Sequence, residues 1–170
     1  IFDVFNNQYN NQYNNQYNNQ TNNLKKPKSI YIIQNLTLEQ TYNGTKIPIE
    51  INRKITENNE YYDEIETMYI SIPSGTDNNE LLVLKNKGNC TNNIYGDVKI
   101  KFKLLKHDQF VRNGLDLIYT KNINFKESIC GFSFQLTHIN NKPYTINNTN
   151  GIIIHENYVT KIPKLGFTKD

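Results

Sequence analysis

The stretch Asp97–Leu104, DVKIKFKL, gives the clearest indication of the fold. Its apolar residues alternate with lysines: Val98, Ile100, Phe102 and Leu104 against Lys99, Lys101 and Lys103. Successive side chains of a β-strand point to opposite faces, so this alternation predicts a strand with one buried face and one face in water.

Related patterns recur along the chain and are separated by turn residues. Ile30–Gln34 is apolar and β-branched, and Pro73-Ser74-Gly75 is a turn signal. Two further alternating sets are Ile47, Ile49 and Ile51, and Met68, Ile70 and Ile72. The sequence therefore predicts an all-β protein.

Two short segments interrupt this pattern and resemble each other. Leu36–Gly44 reads LTLEQTYNG and Ile123–Gly131 reads INFKESICG, and the two match in character position by position. Thr37 and Asn124 are suitable N-cap residues, and we expect each glycine to end its helix in the left-handed conformation. Each segment is predicted to be a short helix between two strands.

A second pair of segments supports an internal duplication. Leu82–Gly88, LVLKNKG, resembles Thr160–Gly166, TKIPKLG, and the two pairs occur in the same order in both halves. We therefore predict two tandem small β-sandwich modules, each with one short helix, over residues 29–105 and 106–170. No counterpart of the strand Gly96–Phe102 follows Gly166, so we expect the second module to be truncated and the natural chain to continue.

Residues 1–28 are predicted to be a disordered linker. Asn6–Gln20 repeats NNQY and contains no aliphatic residue, so it buries too little apolar surface to offset its ordering entropy. A spacer is favoured over a self-associating segment.

Composition and charge argue against several functions. The net charge of +3 lacks the dense basic patch of a nucleic-acid binder, and no apolar run reaches the roughly 20 residues that span a bilayer. Two cysteines are too few for a disulfide framework, which favours a reducing, cytoplasmic compartment. The histidines are scattered, and Cys130 is expected to be a buried small hydrophobe. We predict no enzyme, no cofactor and no metal site.

Several motifs together resemble the C-terminal substrate-binding region of J-domain (DnaJ family) co-chaperones. They are NLTLEQTYNGTK, IPSGTDNNELLVLKNKG, GDVKIKF, HDQFVRNGLDLIY and NFKESICGFSFQLTHINNKPYTI, within about Tyr31 to Phe167. The resemblance implies tandem β-sandwich modules that hold unfolded polypeptide and deliver it to the large ATP-driven heat-shock chaperone. It also implies a homodimer for the full-length protein, whereas we expect this chain to be a monomer.

The chain is similar to the branch of the family without zinc fingers. The other branch inserts a zinc domain of four Cys-x-x-Cys motifs into the first module. Here the corresponding segment, Lys54–Glu64, contains no cysteine and is expected to be a short loop.

The resemblance also places the sites. The peptide groove of the first module falls on Ile32, Gln34, Ile49, Ile51 and Ile100. These isoleucines are equally well explained as sandwich core, and Gln34 departs from the usual apolar residue. The acidic C-terminal tail of the partner chaperone falls on Lys46 and Arg53, and we expect weak binding because Ile47 and Glu50 replace lysines of relatives.

A structural or carbohydrate-binding secreted β-sandwich is the alternative function. It would require occupied glycosylation sequons, such as Asn35-Leu-Thr37, or exposed aromatic platforms.

Overall fold

A computed structural model describes residues 25–58, 60–148 and 151–169. Within them the two helices are α1 (Leu38–Asn43) and α2 (Phe125–Cys130). The strands are β1 (Ile30–Leu36), β2 (Thr45–Glu57), β3 (Glu60–Ile72), β4 (Leu81–Leu84), β5 (Cys90–Thr91), β6 (Ile94–Tyr95), β7 (Val98–Leu104), β8 (Phe110–Asn113), β9 (Asp116–Tyr119), β10 (Phe132–Thr137) and β11 (Pro143–Asn148). The all-β prediction is confirmed, while the NNQY repeat lies outside the described residues.

Two sheets form the first half of the molecule, with strand orders β1-β7-β4 and β3-β2-β5-β6. Their facing sides share one core cluster: Leu36, Ile47, Ile49, Ile51, Ile70, Ile72, Val98, Ile100 and Phe102. The stretch Asp97–Leu104 behaves as its alternation predicts, because β7 is the central strand and turns Val98, Ile100 and Phe102 into this core. Burial between two sheets is what makes the short strands stable.

The segment Lys54–Glu64 is not the short loop that the sequence suggested. Within it, Lys54–Glu57 of β2 and Glu60–Glu64 of β3 belong to a ladder that runs from Thr45 opposite Ile72 to Glu57 opposite Glu60. Arg53 extends this pairing, because its Nε lies 2.7 Å from Glu64 Oε2 and its Nη1 2.8 Å from Glu66 Oε2 on β3. A long hairpin therefore stands where a loop was expected.

The second half contains two smaller sheets, β8-β9 and β10-β11. Its buried cluster consists of Leu38, Phe110, Ile139 and Phe167, with Tyr42 and Leu104 packed against it. Leu38 and Tyr42 belong to α1, so this second cluster joins residues from both sides of the predicted boundary after residue 105. The boundary itself stays a prediction.

Arg112 on β8 is the main polar link between the halves. Its Nη1 donates to the Thr76 carbonyl at 2.6 Å, and its Nη2 donates to the Gly75 carbonyl at 2.9 Å and to the Asp77 carboxylate. Hydrogen bonding from Lys169, together with the nearby Arg112 charge, lowers the pKa of Asp77. The turn after β3 is thereby tied to the second half.

Both helices start as the sequence predicts. Thr37 and Asn124 each form a capping box, with Gln40 and Glu127 as the reciprocal partners. The prediction for the glycines is wrong in one respect. Gly44 has φ 72° and ψ 156°, which is not the left-handed helical region but another positive-φ conformation that favours glycine.

The two helices differ sharply in burial. Leu38 of α1 is 4% exposed, whereas its counterpart in α2, Phe125, is 81% exposed, and no residue of α2 is buried. Cys130 at the end of α2 is exposed, so its predicted burial is wrong. Phe110 and Phe167 pack against Leu38 of α1, whereas α2 is contacted by the segment after β11, where the Ile154 N–H donates to the Ser128 carbonyl at 3.0 Å, without any of its own residues becoming buried.

The second repeated pair is related in its turns but not in its strand. Asn86 and its counterpart Lys164 both have positive φ, 57° and 66°. Leu81–Leu84 forms β4 in the first copy, but residues 160–162 of the second copy form no strand. The similarity of the second pair is thus limited to one turn residue, and the second half has less sheet; the duplication stays a prediction.

Candidate functional site

The candidate site is the open edge of β2, defined as the backbone of Thr45–Lys54 on the side away from β3. On that side β2 pairs only with the short β5, at Ile55 and Thr56. No strand of the described residues covers the preceding ten residues. An uncovered strand edge presents unpaired N–H and C=O groups that can pair with another chain.

A proline shows which residues of β2 direct their backbone to this edge. Pro48 has no N–H, and inside a sheet a proline lies where its nitrogen faces away from the ladder. The N–H and C=O of one strand residue point to the same side in an antiparallel pair, and neighbouring residues alternate. Lys46, Pro48, Glu50 and Asn52 therefore face the open edge.

Two hydrogen bonds support this assignment. The Lys54 N–H donates to Asn89 Oδ1 at 2.9 Å, and the Thr56 carbonyl accepts from the Asn92 N–H at 3.0 Å. Both groups belong to even-numbered residues and both point away from β3. The open edge thus offers three N–H donors and four carbonyl acceptors.

The free edge of β1 is partly closed by a side chain. The Ile30 N–H donates to the Asp97 carbonyl and the Leu36 carbonyl accepts from the Leu105 N–H, so even-numbered residues of β1 face β7. The Asn35 carbonyl consequently faces the free edge, where it accepts from Gln34 Nε2 at 2.9 Å. Gln34 therefore occupies an acceptor that an added strand would need.

The predicted groove residues fall into two groups. Ile32 and Gln34 are half-buried on β1, and Ile32 packs against the first core cluster. Ile49, Ile51 and Ile100 are 3%, 0% and 0% exposed and belong to that core. In this conformation these three side chains are packed in the core between the two sheets and are not accessible to a ligand. A direct role for them in binding stays a prediction that requires the sandwich to open.

An open cavity lies elsewhere. A space of about 530 Å³ lies between α2 and the segment after β11, lined mainly by Ile123, Phe125, Ile129, Ile153 and Ile154. None of the residues that line this cavity belongs to β2. A ligand at the β2 edge would therefore depend on backbone pairing.

The two predicted tail-binding cations are placed differently. Lys46 is exposed, and its Nζ lies 5.9 Å from the centre of the Tyr69 ring. Arg53 is 8% exposed, and hydrogen bonding to Glu64 raises its pKa. Arg53 is thus not a free cation, and a role in tail binding would require both of its ion pairs to open.

Within residues 25–58, 60–148 and 151–169, no cluster of three or more potential ligands could hold a metal ion. Neither helix in this part of the chain exceeds six residues, so neither is long enough to cross a membrane.

The roles of two residues do not follow from the alternation or from the family motifs. Pro48, inside an alternating strand, shows which backbone groups of that strand are unpaired. Arg112, in the motif FVRNG, links the two halves of the molecule. Neither residue specifies its partner residues, because those partners come from distant parts of the chain.

A β-sandwich with an uncovered strand edge over an apolar core has the features of domains that bind extended polypeptide as an added strand. The chain belongs to the DnaJ C-terminal domain family, whose model matches residues 30–170. This membership agrees with the resemblance drawn from the motifs.

Individual relatives are similar over about half of the chain. A chaperone protein DnaJ of Borrelia garinii subsp. bavariensis is 36% identical over 98 residues, which are 56% of this chain and 27% of the relative. A DnaJ-like protein of Acanthamoeba polyphaga mimivirus is 28% identical over 106 residues, 62% of this chain and 27% of the relative. A DnaJ protein homolog of Allium porrum is 26% identical over 90 residues, 52% and 22%. The matches span about a quarter of the length of these relatives.

Proposed function

We propose that this chain is the polypeptide-binding part of a co-chaperone, which holds unfolded or hydrophobic segments and delivers them to the large ATP-driven heat-shock chaperone. Membership of the DnaJ C-terminal domain family supports this function, as do relatives described as chaperone proteins. The observation that carries the proposal is the uncovered edge of β2 over the first core cluster.

The client would pair with β2 in preference to β1. Lys46, Pro48, Glu50 and Asn52 form a continuous row of outward backbone groups, whereas Gln34 already occupies a carbonyl of β1. Main-chain hydrogen bonds depend little on the client's side chains, so such an edge accepts many sequences. Apolar client side chains would contact the half-buried Ile32.

A proline substitution tests this site. Glu50→Pro removes an N–H that faces the open edge but takes no part in the β2–β3 ladder. We expect a labelled extended apolar peptide of about 12 residues to bind at least about fivefold more weakly, because one main-chain hydrogen bond is lost and the added ring obstructs the edge. Fluorescence anisotropy measures the affinity.

The matched control is Thr67→Pro on β3. Thr67 lies opposite Glu50, and its backbone faces the outer edge of β3, so the two substitutions disturb the same hairpin on opposite sides. The proposal predicts normal peptide binding by Thr67→Pro. Equal binding by both folded variants, checked by circular dichroism, would show that the β2 edge is not the site.

We also propose that the acidic tail of the partner chaperone binds only weakly here. Lys46 is an exposed cation on the outer face of the β2–β3 sheet, and Glu50 lies four residues further along the same strand. Because Arg53 is engaged by two carboxylates, Lys46 alone of the two predicted cations is exposed, and Glu50 adds negative charge to the same face. Calorimetry with an acidic tail peptide should give a dissociation constant well above the low-micromolar range, and a low-micromolar value would contradict this proposal.

A further inference from the structure

The outer side of the β1-β7-β4 sheet, which we call the lysine face, carries an ordered pattern of charge and apolar surface. Two registered rows cross the three strands: Tyr31–Lys99–Val83 and Ile33–Lys101–Leu81. Lys103 continues the central line opposite Asn35. Each of the first two lysines therefore lies between two apolar neighbours.

The lysines of this face lack acidic partners. No Asp or Glu occupies an outward position of the three strands, and none of the three lysines forms an ion pair with a described residue. By contrast, Asp97 at the start of β7 is paired with Lys26 at 2.8 Å. Among the described residues, the one side-chain hydrogen bond of these lysines joins Lys99 Nζ to the Tyr31 hydroxyl at 3.3 Å.

The apolar side chains that flank the lysines are exposed. Tyr31 is 71%, Ile33 69%, Leu81 51% and Val83 40% exposed. Water solvates the lysines well, but it leaves this clustered apolar surface uncovered. A partner that satisfies both parts must bring carboxylates to the centre and apolar groups to both sides.

The geometry points to an acidic amphipathic helix of another protein as the occupant of the lysine face. Three strands spaced about 4.8 Å apart make a face about 10 Å wide, which equals the diameter of a helix. Acidic residues at every third or fourth position of a helix lie about 5–6 Å apart. Lysines on alternate strand residues lie about 6.7 Å apart, a difference that their long side chains absorb.

Other polyanions fit the pattern less well. Single-stranded nucleic acid binds to aromatic stacking platforms, and three of the four flanking side chains are aliphatic. An anionic membrane would be met by apolar residues at the centre and lysines at the rim, the reverse of the arrangement on this face. Both remain outcomes of the test.

A synthetic helical peptide of about 18 residues, about 27 Å long, tests the inference. It carries glutamates along one stripe and leucines on both sides, and a counterpart has glutamine in place of every glutamate. We expect the glutamate peptide to bind at least about tenfold more tightly than its counterpart, because three exposed charge pairs are lost in the latter. When this peptide is added, the changes in the amide NMR chemical shifts of the protein should be confined to β1, β4 and β7.

The triple variant Lys99→Gln, Lys101→Gln, Lys103→Gln should bind the glutamate peptide more weakly by the same factor. The control triple Lys126→Gln, Lys142→Gln, Lys161→Gln makes an equal change of charge at exposed lysines elsewhere and should bind normally. Binding of the extended apolar peptide to the β2 edge should survive in both variants, which separates this face from the client site. Equal affinity for both helical peptides would overturn the inference. So would binding of a 20-nucleotide oligothymidylate or of phosphatidylserine vesicles that depends on the three lysines while the peptide fails to bind.

Discussion

Two residues determine how many backbone hydrogen-bonding groups the edges of β2 and β1 offer to a client. Pro48 withholds one N–H from the row formed by Lys46, Glu50 and Asn52, and Gln34 occupies a carbonyl on the neighbouring sheet. Pro48 reduces the number of hydrogen bonds that a client strand on β2 can make, and Gln34 makes the edge of β1 a poorer alternative. We therefore expect the open edge of β2 to form fewer backbone hydrogen bonds with a client than an edge without proline would form.

Replacing Pro48 should strengthen client binding. Pro48→Val restores the missing donor and keeps a residue suited to strands, so an extended apolar peptide should bind about fivefold more tightly, the value of one net hydrogen bond. Anisotropy titration gives the change.

Pro143→Val is the control for Pro48→Val, because Pro143 lies in β11, in a different sheet from β2. Its affinity for the peptide should be unchanged. A Pro48→Val variant that binds no more tightly than the natural chain would show that residue 48 does not face the client.

Among the secondary-structure elements, the repeated helices show that similar sequences need not be similarly stable. Both α1 and α2 have six residues, a capping box and a terminal glycine. Only α1 contributes to a buried cluster, because Leu38 packs with Phe110, Ile139 and Phe167, whereas no residue of α2 is buried. A helix this short has little stability of its own, so its environment decides its contribution.

This difference predicts opposite effects of equivalent substitutions. Leu38→Ala should lower the free energy of unfolding by about 2–5 kcal/mol, because it leaves a cavity in a packed cluster. Phe125→Ala at the matching position of α2 should change it by no more than about 0.5 kcal/mol, because the side chain is mostly exposed. Urea denaturation measures both. Similar losses would mean that α2 is covered in solution.

For the whole molecule, alternation along the strands predicted the fold class, and repeated motifs predicted both helices. Period-two patterns are local, so Asp97–Leu104 could be interpreted without knowing its neighbours. Lys54–Glu64 was misjudged because its charged residues lack that pattern, and its strands depend on pairing across the hairpin. Likewise, the sequence could not distinguish a groove residue from a core residue at Ile51, since a strand against a sandwich core alternates in either case.

The contacts between the two halves could also not be predicted from the sequence. Arg112 binds the turn around Gly75 through carbonyl groups, and a Cβ on Gly75 would clash with the Thr168 carbonyl oxygen. Such contacts join residues that are far apart in the chain and leave no periodic signal.

Amide hydrogen exchange with and without an extended apolar peptide tests the central claim, that clients add to the open edge of β2. If clients add to this edge, the peptide should slow amide exchange at Lys46, Glu50 and Asn52. Exchange at Ile49 and Ile51, whose N–H groups are already bonded to β3, should change little. Protection confined to α2, or to the outer edge of β3 from Tyr61 to Ser71, would contradict it.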